Sequence, residues 1–199
     1  MRGSDINIDI TRKCTLKCRH CYNHSGEMNN DELASDELFR IMNDLASTRP
    51  DNFCICGGEP LLKKEIIFRF IDHQKKINSE MNIGMVTNGE LLTESISEKL
   101  IYYGLNNIQF SIDGATENSH DWLRNKKGLF ENLLHTIMQL NILRRKAKSD
   151  IKISAVCCLN KRNYEELPKI IELCTRLGID ILRVQPLMKM GRASCRERV

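Results

Sequence analysis

The sequence predicts an α/β fold in which parallel strands alternate with helices. Short runs rich in Ile, Val and Phe recur along the chain, and segments with helical spacing of apolar residues separate them. Five strand–helix repeats followed by a sixth strand predict a parallel sheet with right-handed crossovers. Because a complete eight-stranded barrel takes ~250 residues, six strands in 199 residues suit an open, partial (β/α)6 TIM barrel or a doubly wound sheet.

Six short apolar runs supply the predicted strands, at residues 6–10, 53–56, 82–86, 108–112, 151–157 and 181–185. In a partial barrel and in a doubly wound sheet alike, the ligand site lies at the carboxyl ends of the strands. The segments that follow the strands are therefore where functional residues are expected.

Five segments between the strands have the spacing and end signals of helices. The predicted helices are one capped by Ser35, one over residues 63–80, one that starts at Thr93 and stops at Gly104, one over residues 129–147, and one that starts at Asn163 and ends at Gly178. In the last of them, Glu166 follows Asn163 in a capping-box-like arrangement.

The composition is that of an ordinary globular protein, with 41% hydrophobic and 28% charged residues. No apolar stretch approaches the ~20 residues of a membrane helix, and the first ten residues lack the apolar region of a secretory signal. We therefore expect a cytoplasmic protein with no membrane partner.

The net charge is +4, and residues 189–199 account for +3 of it through Lys189, Arg192, Arg196 and Arg198 against Glu197. The rest of the chain is therefore near +1. No basic face that would indicate nucleic-acid binding is evident, and residues 189–199 are predicted to be a solvated tail.

Nine cysteines are many for a chain in a reducing compartment, where clustered cysteines indicate metal ligands. Cys14, Cys18 and Cys21 lie in the segment CTLKCRHC, directly after the first predicted strand. A closed structural zinc site uses four ligands, so three cysteines leave one coordination position open. A zinc site completed by a distant histidine, such as His24 or His73, is the alternative.

The other cysteines have a plainer interpretation as small apolar side chains. Cys157, Cys158 and Cys174 are predicted to be buried in this way. Cys54 and Cys56 alternate along the second strand, so they lie on one face of it, and packing in the core is favoured over metal binding.

Polar and glycine-rich segments follow three further strands. They are GGEP at residues 57–60, TNG at residues 87–89 and SIDG at residues 111–114, with Arg124 in the next predicted loop. Because the carboxyl ends of parallel strands meet at one edge, these segments are expected to converge on the three cysteines.

The motif CxxxCxxC after a first strand, followed in order by GGEP, TNG and SIDG, resembles the radical S-adenosylmethionine (SAM) enzymes over essentially the whole chain. The resemblance implies that Cys14, Cys18 and Cys21 hold three irons of a [4Fe-4S] cluster, with SAM on the fourth. It also implies that an electron from a reducing partner such as flavodoxin or ferredoxin cleaves SAM. The resulting 5′-deoxyadenosyl radical abstracts hydrogen from a substrate.

The same resemblance implies SAM-binding roles for ten further residues. His20 and Tyr22 would lie beside the adenine, Gly57, Gly58, Glu59 and Pro60 would bind the amino group, Ser111 the ribose and Arg124 the carboxylate, and Asn88 and Asp113 would lie on the rim. Plainer interpretations remain open at this stage. Glu59 and Arg124 can be surface charges, Ser111 and Asp113 an ordinary strand-end turn, and Trp122 a loop or packing aromatic.

The segments FSIDGATENSHDWLRNKKGLFENLLHTI and RVQPLMKMGRA resemble the SPASM-type subgroup, which includes sulfatase-maturase-like and ribosomal-peptide-maturase-like enzymes. This resemblance implies a peptide or protein substrate. A member that acts in small-molecule or cofactor biosynthesis and a non-catalytic Fe-S or zinc module are the alternatives. Residues 1–199 are expected to form a single radical SAM core domain, cut after the sixth strand from a longer enzyme with a C-terminal helix and an auxiliary-cluster domain.

Overall fold

The computed structural model describes residues 4–26, 31–78 and 80–188. The predicted tail at residues 189–199, with Cys195, lies outside the described residues. The strands are β1 (Asp5–Asp9), β2 (Asn52–Cys56), β3 (Asn82–Thr87), β4 (Asn107–Ser111), β5 (Lys152–Leu159) and β6 (Ile181–Pro186). The helices are α1 (Ser35–Ala46), α2 (Lys64–Ile77), α3 (Glu94–Tyr103), α4 (Glu117–Arg124), α5 (Leu129–Lys146) and α6 (Leu167–Arg176).

The six strands form one sheet in the order β1-β2-β3-β4-β5-β6, and every neighbouring pair is parallel. A doubly wound sheet reverses its strand order at a switch point, and this sheet has none among the described strands. The sheet curls into a half-barrel. The prediction of a partial (β/α)6 TIM barrel is therefore confirmed, and the doubly wound alternative is wrong.

The two faces of the sheet differ because successive side chains on a strand point to opposite sides. The face toward the helices carries the core, with Phe53, Ile55, Ile83 and Met85 fully buried. The other face is the concave side of the half-barrel. The alternation thus separates a dry core from a surface on which polar side chains can line a cavity.

The helices cover the convex face of the sheet. The longest, α5, buries Leu133, Ile137 and Leu140 completely against it. The predicted ends of α3 are confirmed, since the Thr93 hydroxyl accepts the Ile96 N–H and Gly104 adopts a left-handed conformation at φ 86°. Of the helices in the described part of the chain, none combines the length and the apolar character that crossing a membrane requires.

Two predicted helix starts are wrong. Helix α1 begins one residue beyond Ala34, whose N–H donates to the Glu37 carboxylate at 3.0 Å, so Ser35 is inside the helix and does not cap it. Helix α6 begins at Leu167 after a short 3-10 turn, and the capping box predicted for Asn163 is not formed. A tertiary contact replaces it, because the Glu166 carboxylate accepts the Ala115 N–H at 2.8 Å.

Helix α4 has no counterpart among the predicted helices. The Thr116 hydroxyl accepts the Ser119 N–H at its start, and Asn125 ends it in a left-handed conformation. Its eight residues are few for detection by periodicity. As a result Arg124, which was expected in a loop, is the last residue of a helix and has a defined direction.

Candidate metal and cofactor site

A cavity of about 470 Å³ opens at the carboxyl edge of the sheet, on its concave side. All the predicted site residues except Glu59 and Pro60 line it, namely Cys14, Cys18, His20, Cys21, Tyr22, Gly57, Gly58, Asn88, Ser111, Asp113 and Arg124. The predicted convergence of the strand-end motifs on the three cysteines is therefore confirmed.

The three cysteines lie on the segment of residues 10–26, which we call the cysteine loop. It is fastened to the end of β2 by hydrogen bonds from Gly58 N–H to the Thr11 carbonyl at 2.7 Å and from Glu59 N–H to the Lys13 carbonyl at 2.9 Å. Glu32 holds the other side, where it accepts the Thr11 hydroxyl and the Arg12 N–H, each at 2.7 Å. These hydrogen bonds on both sides give the cysteine loop a defined shape.

The GGEP glycines permit this close docking. A Cβ at Gly58 would lie 2.2 Å from the Lys13 carbonyl oxygen, and one at Gly57 would lie 2.6 Å from that of Thr11. Gly57 also has φ 143°, which L-residues rarely adopt. Close backbone approach was expected toward SAM, and the structure places it first between β2 and the cysteine loop.

Each cysteine sulfur has a hydrogen-bond donor nearby. Leu16 N–H lies 3.4 Å from Cys14 Sγ, and Ser25 N–H lies 3.3 Å from Cys21 Sγ. The third donor is Arg124, whose Nη1 lies 3.8 Å from Cys18 Sγ. Donors around sulfur stabilise thiolate ligands and set the potentials of Fe-S clusters. Three such thiols facing one cavity form a set of ligands that fits three irons of a cluster.

Burial works against the free thiolates. It raises the pKa of Cys14 to about 11. It also raises the pKa of Cys18, where the nearby charge of Arg124 offsets part of the effect. A metal would reverse this balance, since coordination deprotonates a thiol outright.

Arg124 and Asp113 form a buried ion pair beside Cys18. The Arg124 Nη2 lies 2.5 Å from Asp113 Oδ2, with the side chains 11% and 0% exposed. His20 Nε2 lies 3.7 Å from the same oxygen, and Asp113 Oδ1 accepts the Cys158 N–H at 2.7 Å. Burial alone would raise the pKa of Asp113, but the charges of Arg124 and then His20 lower it. The plainer interpretations of Arg124 as a solvated charge and of Asp113 as an ordinary turn residue are wrong.

His120 supports this pair from behind. Its Nδ1 accepts the Asp113 N–H at 3.2 Å, and burial lowers its pKa to about 3. A neutral imidazole at this place adds no positive charge beside Arg124. The sequence contained no separate signal for His120, because it lies in the helix that periodicity missed.

Glu59 lies behind the cavity wall and is 0% exposed, so the surface-carboxylate interpretation is wrong. Its carboxylate accepts hydrogen bonds from the Leu61 N–H at 3.1 Å, the Thr87 hydroxyl at 2.8 Å and the Asn88 N–H at 2.9 Å. Burial raises its pKa to about 7. Glu59 thus joins the GGEP and TNG turns, and through them it positions Asn88.

Asn88 connects that junction to the cysteine loop. Its side-chain amide donates to the Thr15 hydroxyl at 3.2 Å and lies 3.9 Å from Cys14 Sγ. The TNG turn therefore contacts the loop directly.

Several cavity residues were not predicted. They come from the concave face of β2 and β4–β6 and are Cys56, Gln109, Val156, Cys158, Arg183 and Gln185. Alternation along the strands places them on one face, but alternation by itself does not say which face encloses a ligand. Cys158 was predicted as a buried apolar side chain and instead lines the cavity, whereas Cys157 and Cys174 are buried as predicted, at 0% and 4% exposed.

Cys54 and Cys56 share one face of β2, as predicted, and their sulfurs lie 3.5 Å apart. Their predicted packing in the core is wrong. The core side of this strand belongs to Phe53 and Ile55, which are fully buried, while both cysteines are half-buried on the concave side.

The zinc alternative gains no ligand from the expected histidines. Neither His24 nor His73 lines the cavity, and the His73 ring packs 5.8 Å from that of Phe39. Among the described residues, the group whose ligand atoms lie within 4.8 Å of one another is His20, Asp113 and Cys158. Asp113 in that group is already paired with Arg124.

Comparisons with known proteins identify the family of this chain. The model of the radical SAM superfamily matches residues 8–174. The chain is 32% identical to the AdoMet-dependent heme synthase of Methanosarcina barkeri over 94% of this chain and 51% of that protein. It is 28% identical to the sporulation killing factor maturation protein SkfB of Bacillus subtilis over 94% of this chain and 43% of that protein.

A solved structure shows the same fold. SuiB of Streptococcus suis, bound to S-adenosylmethionine, superposes with a TM-score of 0.76 at 17% identity, covering 99% of this chain and 43% of SuiB. The chain belongs to the radical SAM superfamily, whose members use a [4Fe-4S] cluster and SAM. It spans about half the length of the curated relatives it matches.

Proposed function

We propose that this chain is the core domain, over residues 1–199, of a radical SAM enzyme whose cluster is held by Cys14, Cys18 and Cys21. The observation that carries the proposal is the set of three cysteine sulfurs on one fastened loop, each with a donor and all facing one cavity. When bound, the cluster and SAM supply one-electron reductive cleavage of SAM and a 5′-deoxyadenosyl radical that abstracts hydrogen from the substrate.

The chain's own residues would then bind and orient SAM. The cavity walls offer the Ser111 hydroxyl, the Asn88 amide, and the His20 and Tyr22 rings next to the cysteines. We assign the adenine to the two rings and the ribose to Ser111, as the family resemblance implies. Arg124 and Glu59 are assigned positioning roles, because the two Nη groups of Arg124 contact Cys18 and Asp113, and the Glu59 carboxylate accepts hydrogen bonds from the Leu61 N–H, the Thr87 hydroxyl and the Asn88 N–H.

For the substrate we favour a peptide or protein. Support comes from SkfB, which is named as a maturation protein, and from the resemblance of the SIDG segment to peptide-modifying members. A longer protein with an auxiliary-cluster domain is part of this proposal. A second candidate is a substrate in cofactor biosynthesis, which the heme synthase at 32% identity favours.

The test is anaerobic reconstitution with iron and sulfide, followed by EPR spectroscopy after reduction, with and without SAM. We expect a [4Fe-4S] signal that changes when SAM is added, together with formation of 5′-deoxyadenosine. Cys14→Ser, Cys18→Ser and Cys21→Ser should each lose iron, whereas Cys174→Ser, a buried cysteine outside the site, should retain it. Tightly bound zinc with no uptake of iron would favour the binding-module alternative and contradict the proposal.

The substrate class needs its own measurement. Adding a candidate precursor peptide or a porphyrin precursor to the reconstituted protein should raise 5′-deoxyadenosine formation only for the correct class. Stimulation by the porphyrin precursor alone would overturn the peptide assignment and leave the radical SAM assignment intact.

A further inference from the structure

The outer side of the cysteine loop continues into an exposed surface on α4. Arg19, which directly follows the buried Cys18, donates from its backbone N–H to the Leu123 carbonyl and from its Nε to the Trp122 carbonyl, both at 2.9 Å. The loop that carries the cysteines is thus bonded to the end of α4. A surface residue and a proposed cluster ligand are therefore adjacent along the chain.

Two guanidinium groups pack on the Trp122 ring. The Arg19 guanidinium carbon is 4.8 Å from the centre of the indole ring, and that of Arg162, from the segment after β5, is 3.9 Å away. In the described part of the chain, neither guanidinium forms a salt bridge with a carboxylate. Their positive charge remains available to a partner.

Two lysines extend the same surface. Lys126 and Lys127 follow α4, are exposed, and border a shallow groove with Arg19 and Trp122. We call Arg19, Trp122, Lys126, Lys127 and Arg162 the basic patch. Lys126 is bonded to Glu90, and Glu117 is the exposed acid on the groove. Positive charge therefore dominates, although composition indicated no basic face, because the patch gathers residues from three distant segments.

We propose that the basic patch is the docking surface for an acidic one-electron carrier protein that reduces the cluster. The inference rests on the proposed function, which requires one electron from outside the chain. The reduced carrier loses one electron, the cluster gains it, and no bond forms or breaks. Charge complementarity steers such encounters and raises their rate, and the half-buried Trp122 ring contributes an aromatic contact next to Arg19.

The test measures the rate at which a two-electron-reduced flavodoxin reduces the reconstituted cluster. The reaction is monitored by the absorbance of the flavin semiquinone that forms when flavodoxin gives up one electron. The variant is Lys127→Glu/Arg162→Glu, which leaves the cysteine loop unchanged. The matched control is Arg145→Glu/Lys146→Glu, which makes the same change in net charge at the exposed end of α5. Dithionite, which needs no docking surface, measures the reducibility of each cluster.

We expect the patch variant to be reduced by flavodoxin about tenfold more slowly than the control variant at low salt, since charge steering is of this size or larger. The difference should shrink at high salt, and dithionite should reduce both variants equally fast. Binding of oxidised flavodoxin to the protein without its cluster, on a sensor surface, should weaken only in the patch variant.

Equal flavodoxin rates in the two variants would overturn the docking surface while leaving the proposed function intact. The docking surface would also be overturned if the patch variant lost binding of a single-stranded oligonucleotide but kept binding of flavodoxin, because the patch would then bind a nucleic acid. If the protein took up no cluster that dithionite can reduce, the proposed function itself would be contradicted. The docking surface would then be contradicted as well, because it rests on that function.

Discussion

The carbonyl oxygen of Lys13 occupies the place next to Gly58 where any other residue would have its Cβ, at a distance of 2.2 Å. This contact brings the end of β2 against the cysteine loop, and the hydrogen bond from Glu59 N–H to the same carbonyl fixes it at 2.9 Å. Because backbone fills the space, a side chain at position 58 can be accommodated only if the loop moves.

Gly58→Ala is therefore expected to displace the cysteine loop and to reduce iron uptake severely, with a loss of about 1–3 kcal/mol in the free energy of unfolding, as overpacking typically causes. Iron content after reconstitution and urea denaturation measure the two effects. Gly26→Ala is the matched control in the same loop, since a Cβ there would meet only the Lys17 side chain at 3.7 Å. Normal iron uptake by Gly58→Ala would contradict the prediction.

The buried carboxyl of Glu59 predicts a pH dependence of stability. Burial raises its pKa from 4.5 to about 7 in the folded protein, so between these values the folded state holds a proton that the unfolded state has lost. Its contribution is full below about pH 4.5 and decreases as pH rises toward 7. The slope is up to about 1.4 kcal/mol per pH unit.

Glu59→Gln should remove this slope, because an amide does not titrate. It should also cost about 1–3 kcal/mol, since its NH₂ group cannot accept the Asn88 N–H that Glu59 Oε2 accepts. Urea denaturation of both proteins from pH 5 to 8 gives the comparison. Parallel stability curves for the two proteins would show that Glu59 does not titrate in this range.

The ion pair of Arg124 with Asp113 predicts strong coupling between the two residues. Arg124→Met would leave the carboxylate of Asp113, which is 0% exposed, without its charge partner, and we expect a loss of about 3–5 kcal/mol. Adding Asp113→Asn should recover part of that loss. Urea denaturation of both single variants and the double variant measures the coupling.

Arg176→Met provides the control for this cycle, because Arg176 and Glu172 form an exposed pair with side chains 69% and 67% exposed. Such pairs contribute about 0–1 kcal/mol. If Arg124→Met were no more destabilising than Arg176→Met, the buried pair would have no structural importance.

The concave position of Cys54 predicts its reactivity. The hydrogen bond from Cys56 lowers the pKa of Cys54, whereas burial raises that of Cys157, which is 0% exposed. Iodoacetamide should therefore alkylate Cys54 well before Cys157 in the folded protein, as followed by mass spectrometry of peptides. Equal labelling of both would argue against this placement of β2.

Much of the fold was predictable because strands and helices leave local periodic patterns. All six strands lie within one or two residues of their predicted bounds, and CxxxCxxC, GGEP, TNG and SIDG identified nearly half of the residues that line the cavity. Helix α4 was not predicted because it is short. The predicted cap at Ser35 was wrong because the capping position depends on the backbone conformation where the helix begins, and here that position is Ala34. Cys158 and Arg183 were not predicted as cavity residues, because no local sequence pattern shows which face of a strand encloses a cavity.

The sequence by itself determined the alternation of strands and helices and placed the three cysteines with the glycine-rich turns at one edge, since parallel strands bring their carboxyl ends together. The tertiary structure decided what individual charges do there. It paired Arg124 with Asp113, placed Glu59 behind the wall, and gathered Arg19, Trp122 and Arg162 into one surface. Such pairings join segments that are distant along the chain, and burial gives them their strength, so local patterns do not reveal them.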